Sequence, residues 1–208
     1  MYKRQQQSAF DLLRSPKLRN AVDPKQLDPK DIERYGKNEH GTMALYARRM
    51  IEIGVPFVFV PWPGWDMHGN ITEGCKKVLP NVDALLASLL EDLDERGLLE
   101  TTIVTMLGEM GRNKIYKDPA YSGPPGRDHW GTTQFVIVAG GGFRNGMVLG
   151  KTDKTSLQVV ENYYSPVSYG RTLYHLLGID PDKELYTTGG RPLRISVEDA
   201  PLIHELLI

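Results

Sequence analysis

The sequence predicts an α/β domain whose sheet is mostly parallel and covered on both faces. Three observations carry that expectation. Three β-prone apolar runs, 55–60, 101–107 and 133–139, are each reached through a helical stretch or a long loop. Between the first two lies a strongly amphipathic segment, 81–96, with Val82, Leu85, Leu86, Leu89, Leu90 and Leu93 on one helical face. Each apolar run also borders a cluster of ionisable residues, as strand ends do in open α/β sheets. The order helix, strand, helix, strand, loop, strand, helix reads as part of a larger sheet.

The chain has 208 residues, enough for one domain with a sizeable core. A net charge of −1 gives no basic footprint, so nucleic acid is not an expected partner. The longest apolar run falls well short of the roughly 18 residues a membrane span needs. No basic-then-apolar leader opens the chain. Cys75 stands alone, which excludes an internal disulfide and a cysteine-based zinc site.

Residues 1–36 read as an N-terminal arm. Its start, Met1-Tyr2-Lys3-Arg4 and three glutamines, matches no element and reads as partly non-native. Asp28 followed by Pro29 is an N-cap with proline at the first helical position, opening a short surface helix. The domain proper is expected over 37–208. Thr42 is the expected cap of a helix to about Ile53, stopped by Gly54, with Met43, Tyr46, Ala47, Met50 and Ile53 on one face.

The apolar strand 55–60 follows directly. Gly97 ends the helix 81–96, and strand 101–107 is β-branched at Thr101, Thr102, Ile103, Val104 and Thr105. A Gly/Pro-rich loop over 111–131 leads to strand 133–139 and a turn at Gly140–Gly142. Gly146–Gly150 reads as a short edge strand. Ser165-Pro166 opens the last helix, which Gly178 closes, and 180–208 form a tail with one helical turn near 202–207. The Gly146-Met147-Val148-Leu149-Gly150-Lys151-Thr152 run has three residues between its glycines where a phosphate loop needs four, so it is not one. No G-x-S-x-G elbow exists for a serine hydrolase.

The chemistry lies at the borders of the apolar runs. Asp66 and His68 follow the first, in a turn with Trp62 and Trp65; a carboxylate and an imidazole are ligands that zinc, manganese or iron accept. Glu109 follows the second, between Gly108 and Gly111, with Arg112 able to neutralise an oxyanion through its fork. Arg127, Asp128, His129 and Trp130 precede the third. The three edges are expected to converge on one metal-dependent site. The plainer alternatives are Asp66 as a turn cap, His68 stacked on Trp65, and a surface salt bridge between Glu109 and Arg112. Among the five histidines, His40, His175 and His204 read as structural or solvated.

The motifs GWDMHGN, DERGLL, TTIVTMLGEMGR, GRDHW, AGGGFRNGMVLGKTD and TLYHLLGID resemble, in order and spacing, the bacterial domain of unknown function 1501 family, here over about residues 30–195. That family is sulfatase-like, in the alkaline phosphatase/sulfatase superfamily. The resemblance implies a three-layer α/β/α fold and one or two divalent metals (zinc, calcium or manganese) at the strand ends. It implies cleavage of phosphate or sulfate esters, with a small-molecule or glycan ester as substrate.

By matching motifs, Asp66, His68 and His129 are the expected ligands of one metal, with Glu109 and Asp128 as further candidates. Arg112, Arg127 and His129 are the expected catalytic groups. Glu109 is followed by Met110 where the superfamily has histidine, which weakens a second metal site. The superfamily's first-strand aspartate and its nucleophile have no counterpart before residue 55. The chain therefore reads as the C-terminal portion of a longer member, with little turnover expected alone. A periplasmic or secreted location is expected for the full-length family. Two rival readings are a non-catalytic module binding sulfated or phosphorylated glycans and a metal-dependent phosphomutase.

Overall fold

A computed structural model of the chain describes residues 10, 14–117, 119–120, 123–196 and 199–208. The start read as partly non-native lies outside them. The chain forms two compact units, Met1–Thr102 with Lys117–Gly126, and Ile103–Tyr116 with Arg127–Ile208.

The first unit is helical among the described residues. Ser15 caps α1 (Pro16–Ala21), its hydroxyl accepting from the Leu18 N–H. Asp28 caps α2 (Pro29–Tyr35), its carboxylate accepting from the Lys30 N–H at 2.8 Å, with Pro29 at the first position as the sequence requires. Helix α3 (Glu39–Glu52) begins before Thr42, because the Asn38 side chain accepts from the Gly41 N–H at 2.9 Å and caps an earlier turn. Helix α4 (Ile71–Glu95) also starts earlier than the predicted 81. Pro80 lies inside it, and the leucine stripe beyond holds the helix while the proline conceals its first turns from a pattern reading.

Tyr35, Ala44 and Leu45 form the buried centre of this unit, with Leu27, Ile32, Leu85 and Leu89 packed against them. Beside them lies a buried ion network that hydrophobic periodicity does not reveal. Arg48 is 3 % exposed and Asp92 1 %. Arg48 Nε stands 2.9 Å from Asp92 Oδ2, an ionic contact rather than an aligned hydrogen bond. Arg96 Nε donates to Asp92 Oδ1 at 2.8 Å, and the Tyr35 hydroxyl donates to Asp92 Oδ2 at 2.8 Å. Burial pushes the Asp92 carboxyl up, but these hydrogen bonds and the Arg48 and Arg96 charges outweigh it and hold it below the usual range. Burial, with the Asp92 carboxylate beside it, pushes the Tyr35 phenol up.

The strand expected at 55–60 is not one. The segment has no regular secondary structure and enters no described ladder, and its residues differ in exposure. Val58 and Val60 are half-buried in a groove against Met43, Tyr46 and Met50 of α3. Phe57 and Phe59 are 79 % and 75 % exposed. Its composition is that of a buried strand, yet its phenylalanines are left largely exposed.

The second unit holds the sheet structure, and it corrects the predicted fold class. Strands β1 (Val104–Leu107) and β4 (Val136–Ala139) pair antiparallel, with Val104 opposite Ala139 and Leu107 opposite Val136. Strands β2 (Gly111–Arg112) and β3 (His129–Trp130) pair antiparallel between them in sequence. Two further antiparallel pairs follow, β5 (Lys151–Thr152) with β6 (Val159–Glu161), and β7 (Glu184–Tyr186) with β8 (Pro192–Arg194).

Among the described residues there are five α-helices and only two-stranded antiparallel sheets. A three-layer α/β/α arrangement around a mostly parallel sheet is therefore overturned. A parallel pair needs a crossover, usually a helix, between its strands. The chain between β1 and β4 instead folds back through the β2–β3 ladder, so β4 returns beside β1 reversed. Leu107, Phe135 and Ile137 stay exposed, so the pair is not covered on both faces.

Strand β1 begins later than predicted because Leu99–Thr101 form a turn of 3-10 helix. Gly146–Gly150 form no strand, and the first ladder after them starts at Lys151. At the Gly140–Gly142 turn all three φ angles are positive. A Cβ on Gly141 would stand 2.3 Å from the Ile103 side chain, so this turn requires glycine. Helix α5 (Pro166–Leu176) is capped by the Ser165 hydroxyl, which accepts from the Ser168 N–H at 3.1 Å. The tail carries the hairpin β7–β8, missed in the sequence, and the helical turn His204–Leu206.

Candidate metal centre

In the first unit the chain leaves the apolar segment through Pro61, Pro63 and Gly64 and turns back at Asp66. The Met67 N–H donates to the Trp65 carbonyl at 3.0 Å, closing a tight turn. That turn brings Asp66 Oδ1 to 3.0 Å from His68 Nε2, with Asp66 exposed and His68 half-buried. Trp65 is not His68's stacking partner in the described contacts. It is Trp62 that stacks, on His40, at 4.0 Å between centroids and 11° between planes.

A strap from later in the chain fixes the turn. The Asn70 and Ile71 N–H groups donate to the Pro124 and Pro125 carbonyls at 2.8 and 3.2 Å, and Gly69 bridges to Pro125. A Cβ on Gly126 would stand 2.1 Å from the His68 carbonyl, so glycine alone lets the strap approach. Helix α4 begins immediately after, at Ile71. The His68 backbone is thus held between the strap and a helix start.

An anionic oxygen and an imidazole nitrogen at this separation fit a divalent cation of the zinc, manganese or iron type. Calcium takes six to eight oxygen ligands and fits the pair less well.

The second unit places the other predicted residues. Across the β2–β3 ladder Arg112 is opposite His129, and Gly111 is opposite Trp130. Cross-strand partners project to the same face, so the two pairs lie on opposite faces. The Gly111–Trp130 face is occupied. Trp130 Nε1 donates to the Leu157 carbonyl at 2.7 Å, and a Cβ on Gly111 would collide with the Thr133 carbonyl at 1.9 Å. The other face carries Arg112 beside His129.

Arg112 Nη1 donates to the Arg127 carbonyl at 3.4 Å, which holds the guanidinium near that pair. Arg127 contributes this carbonyl, while its own side chain is half-buried. Glu109 is exposed just past the end of β1, three residues before Arg112.

Asp128 is held in two ways that the sequence does not announce. The Asn113 N–H donates to the Asp128 carbonyl at 2.8 Å, and the Tyr116 hydroxyl bonds to Asp128 Oδ2. Tyr116 sits in a Gly/Pro-rich loop with no periodic pattern, so no sequence signal marks it. The remaining histidines sit apart from any described ligand cluster: His40 stacks on Trp62, His175 lies in the last turn of α5, and His204 opens the C-terminal helical turn.

No helix among the described residues is long and apolar enough to cross a membrane. No curated protein and no solved structure matches the chain. A family model described as Protein of unknown function (DUF1501) matches residues 1–207, nearly the whole length, and the chain belongs to that family.

Proposed function

We propose that this chain is the metal-binding portion of a sulfatase-like hydrolase acting on sulfate or phosphate esters. The observation that carries the reading is the Asp66–His68 pair, 3.0 Å between Oδ1 and Nε2, fixed by the Pro124–Pro125 strap. A constrained carboxylate–imidazole pair is common as part of a metal ligand set. The sequence pattern names His129 as the source of a further ligand.

When bound, the metal would supply Lewis-acid polarisation of the ester oxygen. The chain's own residues do the rest. Arg112, whose Nη1 donates to the Arg127 carbonyl, carries a planar guanidinium fork of the shape that recognises the oxygens of a sulfate or phosphate group. Glu109, exposed just past the end of β1, is a further ligand candidate. Asp128, occupied by Tyr116, is the weaker ligand candidate.

The test is metal content of the purified chain by plasma mass spectrometry after repletion with zinc, manganese or iron. About one equivalent, lost in Asp66→Ala and in His68→Ala with folding unchanged, supports the reading. Absence of metal from the repleted wild-type chain defeats it.

A further inference from the structure

We infer that Tyr116 is a positioning residue for the Asp128-His129 dipeptide, acting through the Asp128 carboxylate; this deepens the metal reading above and rests on it. Tyr116 is the last residue of the second unit before the chain leaves for the segment Lys117–Gly126, and Arg127 is the first on its return. The departing and returning strands of chain are joined at that point by two bonds. The Tyr116 hydroxyl bonds to Asp128 Oδ2, and the Asn113 N–H donates to the Asp128 carbonyl at 2.8 Å.

One bond takes the side chain and the other the backbone of the same residue, so Asp128 is fixed against both translation and rotation. His129 follows it in the chain and is locked on its other side by the ladder to Arg112. The phenol is thus placed to set, through Asp128, where the His129 imidazole points. Residues that orient a metal ligand from one step away typically cost ten- to a hundredfold in affinity when removed. Asp128 then serves as an acceptor for Tyr116 and not as a ligand of its own.

The experiment uses the full chain as wild type, Tyr116→Phe, Asp128→Asn and the double variant, with zinc as the probe. Zinc affinity is measured by calorimetry, the absorption spectrum by cobalt substitution, and the Asn113 amide by hydrogen exchange in metal-free protein. Tyr116→Phe is expected to speed Asn113 exchange, to lower zinc affinity about ten- to a hundredfold and to shift the cobalt bands, with the melting temperature little changed. Tyr116→Phe should cost less affinity in the Asp128→Asn background than in wild type, because the neutral amide has already weakened the same interaction.

Unchanged Asn113 exchange in Tyr116→Phe overturns the inference whether or not metal binds. Faster exchange with zinc affinity and cobalt bands unchanged also overturns it, leaving the bond purely structural. Faster exchange in Tyr116→Phe, alongside a wild-type chain that takes up no zinc, overturns the positioning of a metal ligand and, separately, defeats the metal reading itself.

Discussion

Arg112 stands directly across the β2–β3 ladder from His129, and the two share the face opposite Trp130. Replacing Arg112 with alanine removes a charged fork without touching the ladder's backbone bonds. Hydrogen bonds to charged groups contribute roughly 1.5–3 kcal/mol. Arg112→Ala should therefore weaken phosphate binding to the metal-loaded chain about ten- to a hundredfold in a calorimetric titration, and Arg112→Lys should recover only part of it.

The Asp66–His68 turn predicts a linkage between metal and stability. With free zinc at a hundredfold above its dissociation constant, unfolding should cost about 2.7 kcal/mol more than in chelator. The difference should disappear in Asp66→Ala. Denaturant titrations with and without chelator give the comparison directly.

Gly126 predicts a steric route to the same loss. Any side chain there meets the His68 carbonyl, so Gly126→Ala must shift either the strap or the turn. Metal affinity should fall while helices α2–α4 keep their far-ultraviolet dichroism, since the clash lies outside them.

The Arg48–Asp92 network predicts both a large mutational cost and an acid limb. Breaking a buried ion pair from one side typically costs about 3–5 kcal/mol, because the other charge is left buried alone. Asp92→Asn should approach that range in urea unfolding. The Asp92 carboxyl is held low in the folded chain. Its contribution is complete above the unfolded value, about 3.9, and is lost as pH falls from there through the lower folded value. Stability measured from pH 6 to pH 2 should fall in that window, and Asp92→Asn should flatten the fall.

Phe57 and Phe59 predict a solubility effect. They are large exposed aromatics two residues apart on a segment with no described ladder partner, the kind of apolar surface that promotes association. Phe57→Lys with Phe59→Lys should raise the concentration at which light scattering increases, with little change in the melting temperature. A variant that scatters as the wild type does would show that this segment is not the sticky surface.

The local grammar of the chain was legible from residues alone. Asp28-Pro29 and Ser165-Pro166 start helices where a side-chain oxygen must accept from an early N–H, and that bond forms within three residues. The leucine stripe of 82–93 sets a helix because its period matches 3.6 residues per turn. Asp66 and His68 were legible as neighbours, since a tight turn brings residues two apart together. Periodicity, capping and turn chemistry act over a few residues, and a sequence displays them directly.

Strand direction and partners depend on how distant segments meet, which one chain's pattern does not encode. The runs at 101–107 and 133–139 read as parallel strands, yet β1 and β4 pair antiparallel because the chain between them doubles back at β2 and β3. The run at 55–60 has the composition of a buried strand, but Val58 and Val60 are only half-buried beside α3 while Phe57 and Phe59 stay exposed. Arg48 and Asp92 look like surface charges until α3 and α4 close over them. Tyr116 gains its role only through Asp128, twelve positions away, and that bond is a product of the tertiary fold.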